Sequence, residues 1–471
     1  MAPSIIPPSG KPAEGETVRL DLERIGAQGK AVASLNGFTM LVPRGVAGEQ
    51  VEARVERVHA RYGEARTMTV LRPAPERVSP PCPHFEQCGG CDWQHVDYAQ
   101  QLEYKRRVLA DQLARIGRID APAEWRIVPC EQTLAYRDKL EFTLAHGEGG
   151  AAVPGFHGVE EGPPVPIEHC HLAPESFTRL AREALLALAE LNALAGLNRL
   201  TIQGCGNDGL ALLLHLHDAG AAQLLRKQAR SLVVHLEAAV PELRTLALSL
   251  SRRKGTKHRS ALHMLKGPAL LTKQVRGRPY RVPINGFFQV NLPQAARLAA
   301  RVTEIIAGEC AQALASGKPP LAMDLFCGAG MHAMPLAQAG FRVAGAELAP
   351  QAVRAARETA KLWKLPHCSF QATDLARTGA LQAMLKRHGP AAAMVANPPR
   401  AGLPRALGEA LLAQGPPLLV YVSCDGGTFA RDAARLAPAY ELAGLEGFDL
   451  FPQTHHLEIL GIFKRRARPA G

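Results

Sequence analysis

From residue 17 the chain alternates apolar and polar positions: Val18, Leu20 and Leu22 share one side, and charged side chains the other. The runs "TVRLDLERI", "KAVASLNG", "FTMLVP" and "EQVEARVERVHARYGEARTMTVL" read as short strands separated by turns such as "GAQGK" and "NG". A small β-barrel of the oligonucleotide-binding type is expected over residues 17–74. Residues 1–16, rich in Pro, Gly and Ser, read as a flexible tail, and "RPAPERVSPP" reads as a linker. The period then changes to that of a helix in "DYAQQLEYKRRVLADQLARIG", with Leu102, Val108, Leu109, Leu113 and Ile116 on one face. Strand-like segments ("KLEFTLAHG", "LNRLTIQGC", "GLALLLHLHD") mix with a helical one ("SFTRLAREALLALAELNAL") up to residue 285, so 75–285 reads as a central α+β domain. Over 286–471 strands alternate with helices, the pattern of an α/β, doubly wound parallel sheet. Such sheets bind ligands at the carboxyl ends of their strands.

Charge narrows the partners. The 471 residues carry 55 Lys and Arg against 43 Asp and Glu, a formal charge of +12, which favours a polyanion, nucleic acid ahead of lipid. No apolar run reaches the 18 residues of a membrane helix, and the N-terminus lacks a basic stretch followed by an apolar one, so no membrane role and a reducing, cytoplasmic location are expected. There, clustered thiols act as metal ligands or catalysts more often than as disulfides.

The candidate chemistry falls at strand ends. "DLFCGAG" (Asp324 to Gly330) places a short glycine turn after a buried strand, and Glu347 ends the next strand. Glycines let backbone approach a ligand, and a carboxylate in that place can hold both ribose hydroxyls. With Asp374 after the third strand, placed to meet an adenine, the series is typical of S-adenosylmethionine-dependent methyltransferases. In "ANPPRAG" two prolines stiffen a turn that aims Asn397; its amide can accept from a uracil N–H and donate to a ring oxygen. Cys424, in "YVSCDGGT", ends a fifth strand, and Glu458, in "HHLEIL", is expected after a sixth. A thiolate adding to carbon 6 of uracil makes carbon 5 nucleophilic, and an acid can then take the carbon-5 proton.

In this order the motifs resemble the uracil-5 RNA methyltransferases, in particular the branch acting on 23S ribosomal RNA, over residues 17 to 465. The resemblance implies a TRAM barrel, a central RNA-binding domain with a [4Fe-4S] cluster, and a Rossmann-like methyltransferase domain. It makes Cys424 the nucleophile and Glu458 the base, and gives Gln289, Phe326, Gly328, Gly330, Glu347, Asp374 and Asn397 to the S-adenosylmethionine pocket. The cysteines of "CPHFEQCGGC" leave zinc and iron–sulfur both open by spacing; the resemblance implies a cluster on Cys82, Cys88, Cys91 and Cys170. It also implies RNA, 23S ribosomal RNA first, as the partner of a monomeric enzyme. Three departures stand out: Asn397 where the family has Asp, "DG" after Cys424 where it has "NP", and Met331 where it has Asn. Asp425, if close, should disfavour the thiolate. For RNA contact the candidates are "SRRKGTKHR" (251–259), the C-terminal "KRRARPAG", "YRDKLEF" (136–142) and the pair Phe287 and Phe288. Competing readings are a transfer-RNA uracil methyltransferase, which should lack the barrel and cysteines of residues 1–120, a cytosine-5 enzyme, and an RNA-binding assembly factor without catalysis.

Overall fold

The computed structural model describes residues 11–206, 209–254 and 257–467; the side chains of 252–260 also lie outside the description. Strands Thr17–Asp21, Arg24–Ile25, Ala31–Leu35, Phe38–Val42, Gln50–Val58 and Tyr62–Arg72 form one six-stranded sheet. Its inward positions, Val18, Leu20, Ala33, Met40, Val51 and Val55 among them, make a core completed from downstream by Trp93 and Tyr104. The loose tail ends earlier than expected, because Gly15 N–H donates to the Val55 carbonyl and Glu16 accepts from Val55 N–H, each at 2.8 Å. The Pro-rich linker is likewise pinned: Arg77 binds the buried Glu49 carboxylate at 2.9 Å, and Val78 N–H donates to His95.

Residues 139–266 contain a seven-stranded sheet in the order Val165–Pro166, Ala152–Phe156, Lys139–His146, Leu197–Cys205, Gly209–Leu216, Leu243–Lys254, Lys257–Lys266. Helices Glu175–Glu190, Ala219–Lys227 and Ala229–Ala239 pack on it through Leu180, Leu188, Leu225 and Leu236.

The third unit is an eight-stranded sheet in the order Cys368–Ala372, Arg342–Glu347, Leu321–Leu325, Ala393–Ala396, Leu418–Ser423, Glu458–Arg465, Tyr440–Phe448, Arg126–Val128. It departs from the all-parallel expectation in one strand: Glu458–Arg465 runs antiparallel to both neighbours. Its edge strand, Arg126–Val128, comes from the stretch expected in the central domain. Helix Tyr98–Gln112, capped by the Asp97 carboxylate on Ala99 N–H, also belongs here, since Leu109 and the following Leu113 enter the core on this sheet. The sequence period predicts the helix but not its partner, because amphipathicity marks a buried face and not what covers it.

Candidate active site

The carboxyl ends of five adjacent strands carry the expected residues. Leu325 leads into Phe326, whose backbone is left-handed at φ 64°, a strained conformation for a bulky side chain that clusters at functional sites. Gly328, at φ 51°, faces open space where a side chain would stand, and its N–H donates to a Glu347 carboxylate oxygen at 3.2 Å. The other Glu347 oxygen accepts from Ala349 N–H at 2.9 Å. Gly330, at φ 91°, closes the turn with an N–H bond to Cys327. Asp374 stands two residues past Ala372, the register partner of Glu347, and its carboxylate caps Ala376 N–H. An open backbone cradle beside a half-buried carboxylate suits a nucleoside. Gln289 is half-buried next to Phe288, which packs on Tyr280 with ring centroids 5.8 Å apart.

Asn397 follows the strand beside Leu325 and donates its N–H to the Leu325 carbonyl at 3.2 Å. Its side chain lies 3.5 Å from His332 Nε2, a neighbour that sequence reasoning missed. His332 is fully buried, and burial pushes it down to about 4, so it stays neutral. The one sign of it in the sequence was the departure at the adjacent Met331.

Cys424 and Glu458 meet because the last strand is antiparallel. Ser423 pairs with Ile459, so the next position in register sets Cys424 opposite Glu458. Glu458 therefore opens its strand and does not follow one; only a reversed strand begins where parallel strands end. Its carboxyl is buried with no hydrogen-bond partner on Oε2, and burial pushes it up to about 7, against a pull from Arg400. The Cys424 thiol is pushed up to about 11, first by burial, then by Glu458 and more weakly by Asp425, while Arg400 pulls it down. Arg400 is thus the cation facing both groups, a role that "NPPRAG" did not advertise. Asp425 has a second task, accepting from Thr428 N–H at 2.7 Å as cap of helix Gly426–Leu436. Gly402, at φ 80°, locks the Asn397 loop onto that helix, since a side chain there would strike Thr428 and Asp432. A thiol, a carboxyl that titrates near neutrality and a guanidinium so grouped can add a nucleophile to an electrophile and move a proton.

These features agree with known proteins. The model of the tRNA (uracil-5-)-methyltransferase family matches residues 97–467, and that of the TRAM domain matches 12–68. The chain belongs to the tRNA (uracil-5-)-methyltransferase family. It is 31% identical over 450 residues to an uncharacterized RNA methyltransferase of Chlorobaculum tepidum, covering 89% of each chain. It is 29% identical over 472 residues to one of Nitratidesulfovibrio vulgaris, covering 96% of this chain and 97% of that protein. The Pyrococcus abyssi tRNA (uracil-54, C5)-methyltransferase, solved with S-adenosyl-L-homocysteine, shares the fold at TM-score 0.69 and 22% identity, covering 95% of this chain and 100% of that one. The protein is thus an S-adenosylmethionine-dependent RNA methyltransferase by family, with an N-terminal TRAM barrel and a C-terminal methyltransferase fold. The likeness to that structure extends over the N-terminal region as well as the methyltransferase fold.

The four cysteines of the family resemblance lie near enough to sense one another's charge. Cys91 feels the charges of Cys170 and Cys88, and Cys170 those of Cys88 and Cys82. Burial, then each other's charge, pushes Cys91 up to about 12 and Cys170 to about 11. Gln94 Nε2 donates to Cys91 Sγ at 3.1 Å, and Gly90 N–H to Cys88 Sγ at 3.4 Å. Among the described residues, however, no three His, Cys, Asp or Glu side chains converge as ligands of one metal ion.

The RNA candidates divide. A cavity of about 1030 Å³ between the cysteine loop and the central sheet is lined by Arg137, Lys139, Glu141, Cys170 and Phe287, the last 77% exposed. Phe288 and Phe142 are core, and Tyr136 is buried with its hydroxyl on the Pro452 carbonyl. The C-terminal basic run is partly structural: Arg465 caps the carbonyls of Leu411 and Leu412, and Lys464 pairs with Glu309. Residues 468–471 and the "SRRKGTKHR" side chains from 252 on lie outside the described residues.

Proposed function

We propose that the protein methylates carbon 5 of a uracil in RNA through a covalent adduct at Cys424. The observation that carries this reading is the register that sets Cys424 opposite Glu458, at the same edge of the sheet that carries the glycine turn. Cys424 Sγ, as thiolate, adds to carbon 6 of the base, and the electrons of the 5,6 double bond pass into the carbon-5 enolate. S-adenosylmethionine supplies an electrophilic methyl group on a sulfonium. Carbon 5 takes the methyl, and the sulfonium sulfur keeps the electrons of the broken bond. Glu458 removes the carbon-5 proton, the double bond re-forms, and Cys424 leaves as thiolate. Arg400 favours the ionised form of both groups, and Asn397 offers its amide to the base. Gly328, Gly330, Glu347 and Asp374 cradle the nucleoside, with Phe326 and Gln289 shaping the pocket.

The nucleic acid enters over the cavity, where Phe287 offers a stacking face and Arg137 and Lys139 meet phosphates. 23S ribosomal RNA is the first target assigned; transfer RNA is the second, favoured by the likeness to the Pyrococcus enzyme. RNA containing 5-fluorouracil tests the chemistry, because fluorine at carbon 5 cannot leave as a proton does. A denaturant-resistant adduct through Cys424 is expected, absent in Cys424→Ala. An adduct that survives in Cys424→Ala, or none in either protein, sinks the mechanism. Mapping 5-methyluridine in ribosomal and transfer RNA with and without the protein decides between the targets.

We propose further that Cys82, Cys88, Cys91 and Cys170 hold a [4Fe-4S] cluster. A cubane spreads its thiolates over four irons, so the lack of a single-ion site does not oppose it. Two guanidiniums, Arg44 and Arg137, face the thiols, and Arg137 Nε is buried without a partner, as suits a cation offsetting thiolate charge. Protein purified without oxygen should contain about four irons and four sulfides per chain; stoichiometric zinc instead overturns the assignment.

A further inference from the structure

The stretch just before Glu458 has no helix or strand of its own, yet it is held in place by the far end of the chain. Gln453 has a left-handed backbone at φ 69°, which a non-glycine residue keeps only when its surroundings impose it. The surroundings do so. The Gln453 carbonyl accepts from the N–H groups of both Asp92 and Trp93, each at 2.9 Å. Its N–H donates to Gln101 Oε1 at 3.0 Å, and Gln101 Nε2 donates back to Gln453 Oε1 at 3.0 Å. Gln101 Nε2 also lies 2.9 Å from both the Trp93 and Val96 carbonyls, so its two N–H groups are shared among three acceptors. Two residues on, His455 donates its backbone N–H to the Asp92 carboxylate at 3.1 Å, and its Nδ1 lies 2.7 Å from the same oxygen. From the other side, the Gly29 turn of the barrel abuts His455 so closely that a side chain at Gly29 would meet it.

None of these residues belongs to the set assigned above to the base or the cofactor. What they determine is where the backbone stands three residues before Glu458. Asp92 directly follows Cys91, so the same loop that gathers the thiols also grips this segment.

We propose that Asp92, Gln101 and His455 are positioning residues for Glu458, through which the cysteine loop sets the placement of the base. The inference rests on the reading of Glu458 as the base. It concerns one step: Glu458 takes the carbon-5 proton, those electrons re-form the 5,6 double bond, and the Cys424 sulfur leaves. A displaced carboxylate slows this elimination and leaves the earlier thiol addition and methyl transfer intact.

The test uses the full chain, undermethylated bulk RNA from cells lacking the protein, and S-adenosylmethionine labelled in its methyl group. For Gln101→Ala and His455→Ala, turnover should fall by about tenfold to a hundredfold, the range expected of a displacement near 1 Å. First-turnover methyl incorporation should stay within about twofold of the parent. A denaturant-resistant adduct carrying the label should accumulate. His455→Asn, which keeps a donor toward Asp92, should restore much of the turnover and remove the adduct. Should His455→Ala fail to fold, Gln101→Glu, which keeps the shape and loses the donor, carries the same expectation. Normal turnover without adduct overturns the proposal, and so does a parallel loss of first-turnover methylation and RNA affinity, which marks general damage. Glu458→Gln is the reference: if it traps no methylated adduct, the covalent reading falls and this inference with it, whereas trapping there alone sinks only the inference.

Discussion

Glu458→Gln should stop turnover and stabilise the fold at once. On the proposed mechanism, losing the general base lowers turnover by about 10²- to 10⁴-fold, and methylated adduct persists on Cys424 because nothing removes the carbon-5 proton. The stability gain follows from proton linkage. Burial raises this carboxyl from 4.5 to about 7 in the folded chain. Below pH 4.5 the group is protonated whether folded or unfolded and exerts no penalty. Between 4.5 and about 7 the unfolded carboxyl gives up its proton while the native one keeps it, so stability falls as pH rises, and above 7 the loss is constant. A shift of that size corresponds to about 3 kcal/mol, of which the neutral amide should recover a large part. Denaturation midpoints of parent and variant should coincide near pH 4 and separate by pH 8, with the variant higher. Equal midpoints at pH 8 refute the buried-charge account, whatever the activity shows.

Lys105→Met is the second large effect, here on stability. Lys105 Nζ lies 2.7 Å from Asp449, and both side chains are wholly shielded from solvent. Burial pulls the ammonium down and the Asp449 charge holds it up. Tyr98 also donates to Asp449, at 2.9 Å, and Lys105 reaches the Phe451 carbonyl at 3.2 Å. Removing the ammonium leaves a buried carboxylate without its counter-charge, a change that destabilises by about 3–5 kcal/mol. Replacing both partners, as in Lys105→Met with Asp449→Leu, removes the stranded charge and should recover most of the loss. Chemical denaturation of the two variants against the parent measures this. A double variant no better than the single one would show that the pair acts through its hydrogen bonds and not its charge.

The strand-end placement of the candidate residues was legible because it is local. "DLFCGAG", the acids of the next two strands, "NPPR" and "SC" each sit on a strand whose apolar run and turn residues mark its end. The barrel was legible for the same reason, its inward positions alternating as written. What escaped was relational. Glu458 belongs at the site only because its strand is reversed, and no hydrophobic period records direction. The edge strand Arg126–Val128 is three residues long, too short for periodicity. His332 and Arg400 gain meaning from Asn397 and from Cys424 with Glu458, which lie elsewhere in the chain. The bond between Asp92 and His455 spans 363 residues and leaves no trace in any sequence window.

That span has a kinetic consequence. Contacts between distant residues form late, because the intervening chain must be closed before they are rewarded. The glycine turn can form from neighbouring residues. Cys424 gains its partner carboxyl only when the final strand takes its place between Leu418–Ser423 and Tyr440–Phe448, and when the stretch ahead of that strand docks on residues 92–105. Competence for methylation should therefore be the last property to return on refolding.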